Sequence, residues 1–297
     1  MKTNFQLLLA ALGIFLLALI VNDPFGWRRH SYSDSKPLLN ISADTVKEIT
    51  IADGANSFTI ARDANGSWEQ ITQGQNRYRA DAEAVQKAVL QLLEIRRYTR
   101  VGSASAFDQK LGISEQGLRV ALKADKHYTI LIGNTAENGV ETMVRLADEK
   151  SIYSARDNLA MTFQKGADFF RSKSFLLAAK ENIRAIRYSG KKNLQLVLEG
   201  SDWKNGSRIV KPEEMTKLID ALLTLKAEYF EAIPQLPLNA EIILELQSGP
   251  AKRIEIRGPD ANNKLYAVST DLPEGGTIAP YRLDQIVPTD ENLYNEK

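Results

Sequence analysis

The chain is 297 residues long and carries 38 Lys plus Arg against 37 Asp plus Glu, a formal charge of +1. That balance argues against a nucleic-acid binder or a polybasic membrane-coating protein, both of which need an excess of cations. Charged residues at 25% and apolar residues at 43% are ordinary globular values and argue against extensive disorder, and zero Cys excludes disulfides, thiolate metal sites and Cys nucleophiles together.

Leu7–Val21 is an uninterrupted apolar run, and Phe5 and Gln6 extend it to 17 positions. As a helix it is about 25 Å long, the short end of what spans a bilayer. Lys2 precedes it, and Phe25-Gly26-Trp27-Arg28-Arg29 places aromatic and basic residues where an interface wants them. Asn22-Asp23-Pro24 is a helix stop. A cleaved signal peptide is the competing reading, but Ile20, Val21, Asn22, Asp23 and Pro24 suit a signal peptidase poorly, and Ser31-Tyr32-Ser33 lies rather far away. The expectation is an uncleaved transmembrane anchor over residues 1–21, followed by a linker over 22–44. A naive count sets Lys2 against Arg28, Arg29 and Lys36 and puts the C-terminus inside. That rule weakens when a long domain follows a short head, so an extracytoplasmic body is expected.

Regular patterning begins at Val46–Ile51, which alternates as a half-buried strand does. Asp53-Gly54 is a turn signal, Phe58–Ile60 alternates again, and Asp63–Gly66 turns the chain into Trp68. Asp81 caps a helix with one apolar stripe, Val85, Ala88, Val89, Leu92 and Leu93. Alternating strands follow at Leu118–Leu122, Tyr128–Gly133, Met143–Leu146 and Ser151–Ser154. The order then recurs: Ile183–Ile186, Leu194–Leu198, Trp203, and a helix opened by Pro212 with Met215, Leu218, Ile219, Leu222 and Leu223. These five positions match the first stripe at a constant offset of 130. Strands at Ile242–Leu246, Arg253–Gly258, Lys264–Val268 and Ala279–Leu283 complete the second set. The expected class is α+β: an N-terminal transmembrane helix followed by two duplicated modules of antiparallel strands with one amphipathic helix each. The first occupies 45–180, with Asn158–Lys180 as an aromatic-rich bridge, the second 181–290, and 291–297 is a tail.

No catalytic, cofactor-binding or metal-ligating residue is nominated. His127, after the Ala124-Asp125 turn, needs a cleft, a carboxylate and a nucleophile to act in a Ser-His-Asp arrangement, and reads as an exposed hairpin residue. His30 reads as part of the linker. Glu213-Glu214 opens a helix, where carboxylates favour the dipole. The acids are scattered, with no EF-hand spacing and no His pair at i, i+4. Neither GxGxxG nor a P-loop occurs; Gly133–Gly139 and Gly275-Gly276 read as turns. Arg77-Tyr78-Arg79 and Arg96-Arg97-Tyr98-Thr99-Arg100 interleave cations with aromatics as single-strand binders do, but without net positive charge behind them. Trp68 and Trp203, at equivalent places, favour a core role over paired ligand-stacking sites. Asn65-Gly66-Ser67 and Asn205-Gly206-Ser207 read as turns, and Asn40-Ile41-Ser42 likewise carries no functional assignment.

Ile49–Ile51, Gly66-Ser67-Trp68, Asp81–Leu93, Leu111-Gly112-Ile113, Ile130–Gly133 and Ser151–Ser154 form a recognisable order behind a short N-terminal anchor. It resembles the bacterial family known as domain of unknown function 4340, over most of Val46–Leu283, although the second copy lacks a Leu-Gly-Ile equivalent. The resemblance implies a single-pass protein of the inner membrane with an extracytoplasmic body, found beside ABC-type transporter components of the gliding-motility auxiliary type. It supplies no catalytic residues. The expectation is therefore a non-enzymatic accessory or binding protein, with no cofactor. Its expected partners are membrane lipid through the N-terminal helix, an ABC-type permease and an auxiliary subunit, and no nucleic acid. The alternatives are a cell-envelope structural or glycan-binding module and, behind it, an unrecognised hydrolase.

Overall fold

The computed structural model describes residues 35–104, 108, 110–191, 193–289 and 293–294. It divides into two compact units, with the boundary between Arg171 and Ser172.

The first unit runs β1 (Glu48–Asp53), β2 (Asn56–Arg62), β3 (Trp68–Gln73), β4 (Asn76–Arg79), α1 (Ala82–Leu93), β5 (Thr99–Ser103), β6 (Arg119–Lys123), β7 (His127–Thr135), β8 (Thr142–Leu146), β9 (Ser151–Ala155), α2 (Leu159–Phe163) and α3 (Ala167–Phe170). Its nine strands form one antiparallel sheet in the order β4-β3-β2-β1-β6-β7-β8-β9-β5. The Asp81 carboxylate accepts from the N–H groups of Glu83 and Ala84 at 3.1 Å each, satisfying two of the free donors at the start of α1. Val85, Ala88, Val89 and Leu92 then face the sheet, where they meet Ile49, Ile60, Ile71, Val120 and Ile130 in one core.

The second unit runs β10 (Ile183–Gly190), β11 (Leu194–Glu199), β12 (Asp202–Asn205), β13 (Arg208–Ile209), α4 (Pro212–Leu223), β14 (Leu238–Leu246), β15 (Lys252–Arg257), β16 (Leu265–Ser269), β17 (Gly276–Ile278) and α5 (Pro280–Ile286). Its eight strands are ordered β13-β12-β11-β10-β14-β15-β16-β17. Apart from β5, this is the strand order of the first sheet. Pro212 at the first turn of α4 loses no helical hydrogen bond, and Met215, Leu218, Ile219 and Leu222 face the core.

These observations correct the expected class. The described residues are mostly two antiparallel sheets with few helices, not α+β modules with one helix each. Among the described residues no helix is long and apolar enough to cross a membrane, and the anchor expected over 1–21 lies outside them. The number of helices per module also differs: α2 and α3 join α1, and α5 joins α4. The segment Ala279–Leu283 reads as a strand because Ala279, Tyr281 and Leu283 alternate. Pro280 instead opens α5, and β17 ends at Ile278. In the expected bridge, Leu159, Phe163, Ala167 and Phe170 belong to the first core, and Phe175 and Leu176 to the second.

Two features tie loops to the first sheet. On the sheet face away from α1, Leu111-Gly112-Ile113 crosses the end of β7, and Ile113, Leu131 and Ile152 form a small separate cluster. The Asn134 N–H donates to the Leu111 carbonyl at 2.7 Å. A Cβ on Gly133 would collide with that carbonyl oxygen and lie 2.7 Å from Ile113 Cγ1. The second feature is at the other end of the chain order. Leu38 and Leu39 are buried in the first core, and the Leu38 N–H donates to the Ile95 carbonyl at 2.7 Å. Arg97 holds this entry: its guanidinium makes two 2.6 Å contacts with the Glu149 carboxylate and donates to the Leu38 carbonyl at 3.3 Å. Hydrogen bonding to Arg97 keeps the Glu149 carboxyl below its ordinary value of 4.5.

Gly133→Ala is expected to destabilise the protein by about 2 kcal/mol or more, because backbone blocks the new methyl group; urea unfolding measures it. Glu149→Gln is expected to cost about 1 kcal/mol near neutral pH, as a partly exposed but bidentate pair should. Because the folded-state pKa of Glu149 is depressed, its contribution is complete above about 4.5 and disappears as pH falls through the lower folded value. Thermal melts at a series of acidic pH values should therefore show a shallower decline for the Gln variant.

Candidate functional site

The residues singled out in the sequence do not converge. His127 is exposed at the start of β7, opposite Lys123 in the register. Among the described residues no group of three or more His, Cys, Asp or Glu could hold a metal ion. Trp68 is 4% exposed; its indole N–H donates to Gln86 at 3.1 Å and Arg62 stacks over its ring at 4.5 Å. A buried Trp68 cannot serve a stacked sugar, which counts against paired aromatic glycan sites. Trp203 is half-buried against the second core. Arg97 is engaged with Glu149, Arg100 with Ser103 at 2.8 Å, and Tyr78 lies under Arg171 at 3.7 Å, so much of both Arg-Tyr clusters is spent inside the first unit. Gly66 and Gly206 have φ of 83° and 59°, as turns require. Asn40 is exposed outside regular structure.

What the fold builds instead is a groove along the helix of each unit. The first, about 460 Å3, has Ala84, Lys87, Ala88 and Gln91 of α1 on one side, with Thr162 of α2 and Phe169 of α3 opposite. The second, about 500 Å3, has Glu214, Lys217, Leu218 and Ala221 of α4 on one side, with Asp284 and Gln285 of α5 opposite. At the offset of 130 these are the same four helix positions, i, i+3, i+4 and i+7. Both volumes fall in the range that takes a few side chains or a small ligand.

The walls opposite the helices are fixed in equivalent ways. In the first unit, the N–H of the N-cap residue Asp81 donates to the Phe170 carbonyl at 2.7 Å, Phe170 is fully buried, and Arg171 stacks on Tyr78 of β4. In the second, the N–H of Lys211 donates to the Leu293 carbonyl at 3.0 Å, and Leu293 is 1% exposed. Tyr294 then lies under Arg208 of β13 at 3.5 Å and accepts from Asn205 at 2.8 Å. In each unit the last segment thus returns to the residue before the helix, buries one large apolar side chain and closes a cation–π pair on the edge strand. The cation and the ring simply change places. The sequence carries little sign of this closure, since Leu293 and Tyr294 are two residues in a polar stretch.

A family model described as Domain of unknown function (DUF4340) matches residues 70–240, more than half of the chain. The chain belongs to this family. No curated protein and no solved structure matches it. In this DUF4340 member the matched span runs from β3 through α4 into β14, so it includes α1 and α4 but not α5, and takes in part of each unit.

Leu293→Ala in the DUF4340 chain is expected to cost about 2–4 kcal/mol of stability, as truncation of a fully buried Leu does. The larger loss is expected at the edge of the second sheet: hydrogen exchange of β12 and β13 amides should rise more than that of β1 or β2.

Proposed function

We propose that the protein is an accessory or binding component of an ABC-type transport assembly. Its two β units lie on the extracytoplasmic side of a bacterial inner membrane, and its N-terminal apolar run holds it there. The observation that carries this reading is the 15-residue apolar run Leu7–Val21, flanked by Lys2 and by Trp27-Arg28-Arg29, in a chain that belongs to the DUF4340 family. The insertion of Leu38 and Leu39 into the first core supports it further. Only fourteen residues, Asn22 to Ser35, separate the run from Lys36, whose carbonyl accepts from the Arg97 N–H at 2.8 Å. A tether of that length, at most about 50 Å when extended, keeps the body near the bilayer surface. In this reading the protein contributes surfaces rather than chemistry, and the permease and an auxiliary subunit are its partners.

Affinity capture of the intact protein from mildly solubilised membranes is expected to recover a permease or its auxiliary subunit. Recovery of neither overturns the partner assignment. Protease added to spheroplasts is expected to digest the chain beyond Trp27, and full protection of that part overturns the extracytoplasmic placement.

A further inference from the structure

Three Asn-Gly pairs occur in the chain, Asn65-Gly66, Asn138-Gly139 and Asn205-Gly206, and each sits at a turn with the glycine at positive φ, 83°, 71° and 59°. An Asn-Gly pair is prone to lose its side-chain amide, because glycine leaves the next peptide nitrogen unshielded. The reaction needs a Gly nitrogen that is not held in a hydrogen bond and an Asn carboxamide able to swing onto it. At the first two turns the nucleophile is held. The Gly66 N–H donates to the Asp63 carbonyl at 3.1 Å, and the Gly139 N–H to the Ala136 carbonyl at 2.9 Å. The Asn138 carboxamide is pinned as well, its oxygen accepting from the N–H groups of Val140 and Glu141 at 3.1 Å each.

Gly206 is different. It is the first of two residues joining β12 to β13, just beyond the Asn205–Arg208 pair, and among the described residues its N–H meets no acceptor. Apart from its chain neighbours, no atom lies within 4 Å of where a Cβ would stand, so the turn is open to water. What is held here is the electrophile. Nδ2 of Asn205 donates to the Tyr294 hydroxyl at 2.8 Å, and Tyr294 is kept in place by Arg208 over its ring at 3.5 Å and by the buried Leu293. The matching hairpin of the first unit, between β3 and β4, has Gln73 before Gly74, and the longer Gln side chain closes such a ring far more slowly.

We propose that Asn205 is a deamidation site gated by the docking of Tyr294. When Leu293 and Tyr294 leave, the Gly206 nitrogen attacks Cγ of Asn205. The N–Cγ bond forms, the Cγ–Nδ2 bond breaks, and ammonia departs with the proton from Gly206. Water then opens the succinimide on either side to give aspartate or isoaspartate. Isoaspartate adds one main-chain carbon at the end of β12, which shifts the Asn205–Arg208 pairing and the ring contact built on it, so the release becomes permanent. The inference rests on the second unit alone and does not require the transport reading.

The test ages the full chain at mildly alkaline pH and follows all three Asn-Gly pairs by peptide-mapping mass spectrometry. Tyr294→Phe keeps the ring under Arg208 and removes only the hydroxyl. It is expected to speed reaction at Asn205 about fivefold, the weight of one ordinary hydrogen bond, and to leave Asn65 and Asn138 unchanged. These two sites monitor general opening of the fold in the same sample. Leu293→Ala, which loosens the docking with the hydroxyl still present, should speed Asn205 as well. If that variant fails to fold, as circular dichroism will show, Tyr294→Phe carries the test. In the isoaspartyl protein, hydrogen exchange of β12 and β13 amides should rise. An unchanged rate at Asn205 in Tyr294→Phe or in folded Leu293→Ala, equal acceleration of all three sites in either folded variant, or unchanged exchange in the isoaspartyl protein overturns the inference.

Discussion

A wide sheet must have its apolar face covered, and one short helix cannot do it. Nine strands set about 4.8 Å apart span about 40 Å, whereas a twelve-residue helix is about 18 Å long and roughly 10 Å across. Most of the remaining architecture answers that deficit. In the first unit Leu38, Leu39 and Val46 enter from one side and Leu159, Phe163 and Phe170 from another, all joining the core under α1. In the second, Phe175, Leu176, Leu225, Leu272, Ile286 and Leu293 perform the same service around α4. At about 25 cal/mol for each Å2 removed from water, these added side chains are energetically comparable to the helix stripe itself. The grooves arise from the same cause. Where a short covering segment meets only part of the helix, the remaining seam stays open to solvent.

The opposite faces follow a different logic. In the second sheet, Glu241 accepts from Ser189 at 2.7 Å and pairs with Arg253, which also reaches Glu255 at 2.7 Å, while Arg257 meets Glu255 at 2.9 Å. Glu245 pairs with Arg184 and Arg187. The Ser189 hydroxyl, and after it Arg253, hold the Glu241 carboxyl below its usual range. Each exposed pair contributes little stability. Together they fix register, because a one-residue slip of β14 or β15 turns this ladder toward the core and the isoleucines toward water. In the first sheet Glu48 meets Lys123 at 3.8 Å across β1 and β6, and Thr50 and Thr59 share a 2.9 Å hydrogen bond across β1 and β2. On the β7–β9 side the Leu111–Ile113 crossing shields that face instead.

How much of this can be read from residue order depends on the range of the interaction. The Asp81 cap and the two apolar stripes lie within one helix and are legible, as is the alternation of most central strands. The antiparallel strands are legible, but the α+β class gives two strongly periodic segments the weight of an architecture, although each helix only covers part of a sheet. Pairings such as Arg97 with Glu149, 52 residues apart, leave no local trace. Nor do Leu38-Leu39 or Leu293-Tyr294, since two apolar residues in a polar stretch define no period. The grooves were invisible for a related reason. Their lining mixes Ala, Lys, Gln and Glu on the flank of each stripe, a composition indistinguishable from an ordinary solvated helix edge.

Comparison inside the chain supplies what a single helix cannot. The stripe positions of α1 and α4 differ only in size, Val85 against Met215 and Ala88 against Leu218, because each must meet a sheet. Packing places no such demand on the flanking positions Ala84, Lys87 and Gln91 or their counterparts Glu214, Lys217 and Ala221, so their charges are free to differ at little energetic cost. Substituting an exposed Leu by Asp at the place of Leu90 removes an apolar contact with water and adds a solvated charge, which leaves the fold indifferent. A difference that folding neither requires nor resists changes chiefly what can approach the surface. The flank of α4 is therefore where the second unit departs from the first in surface chemistry rather than in packing.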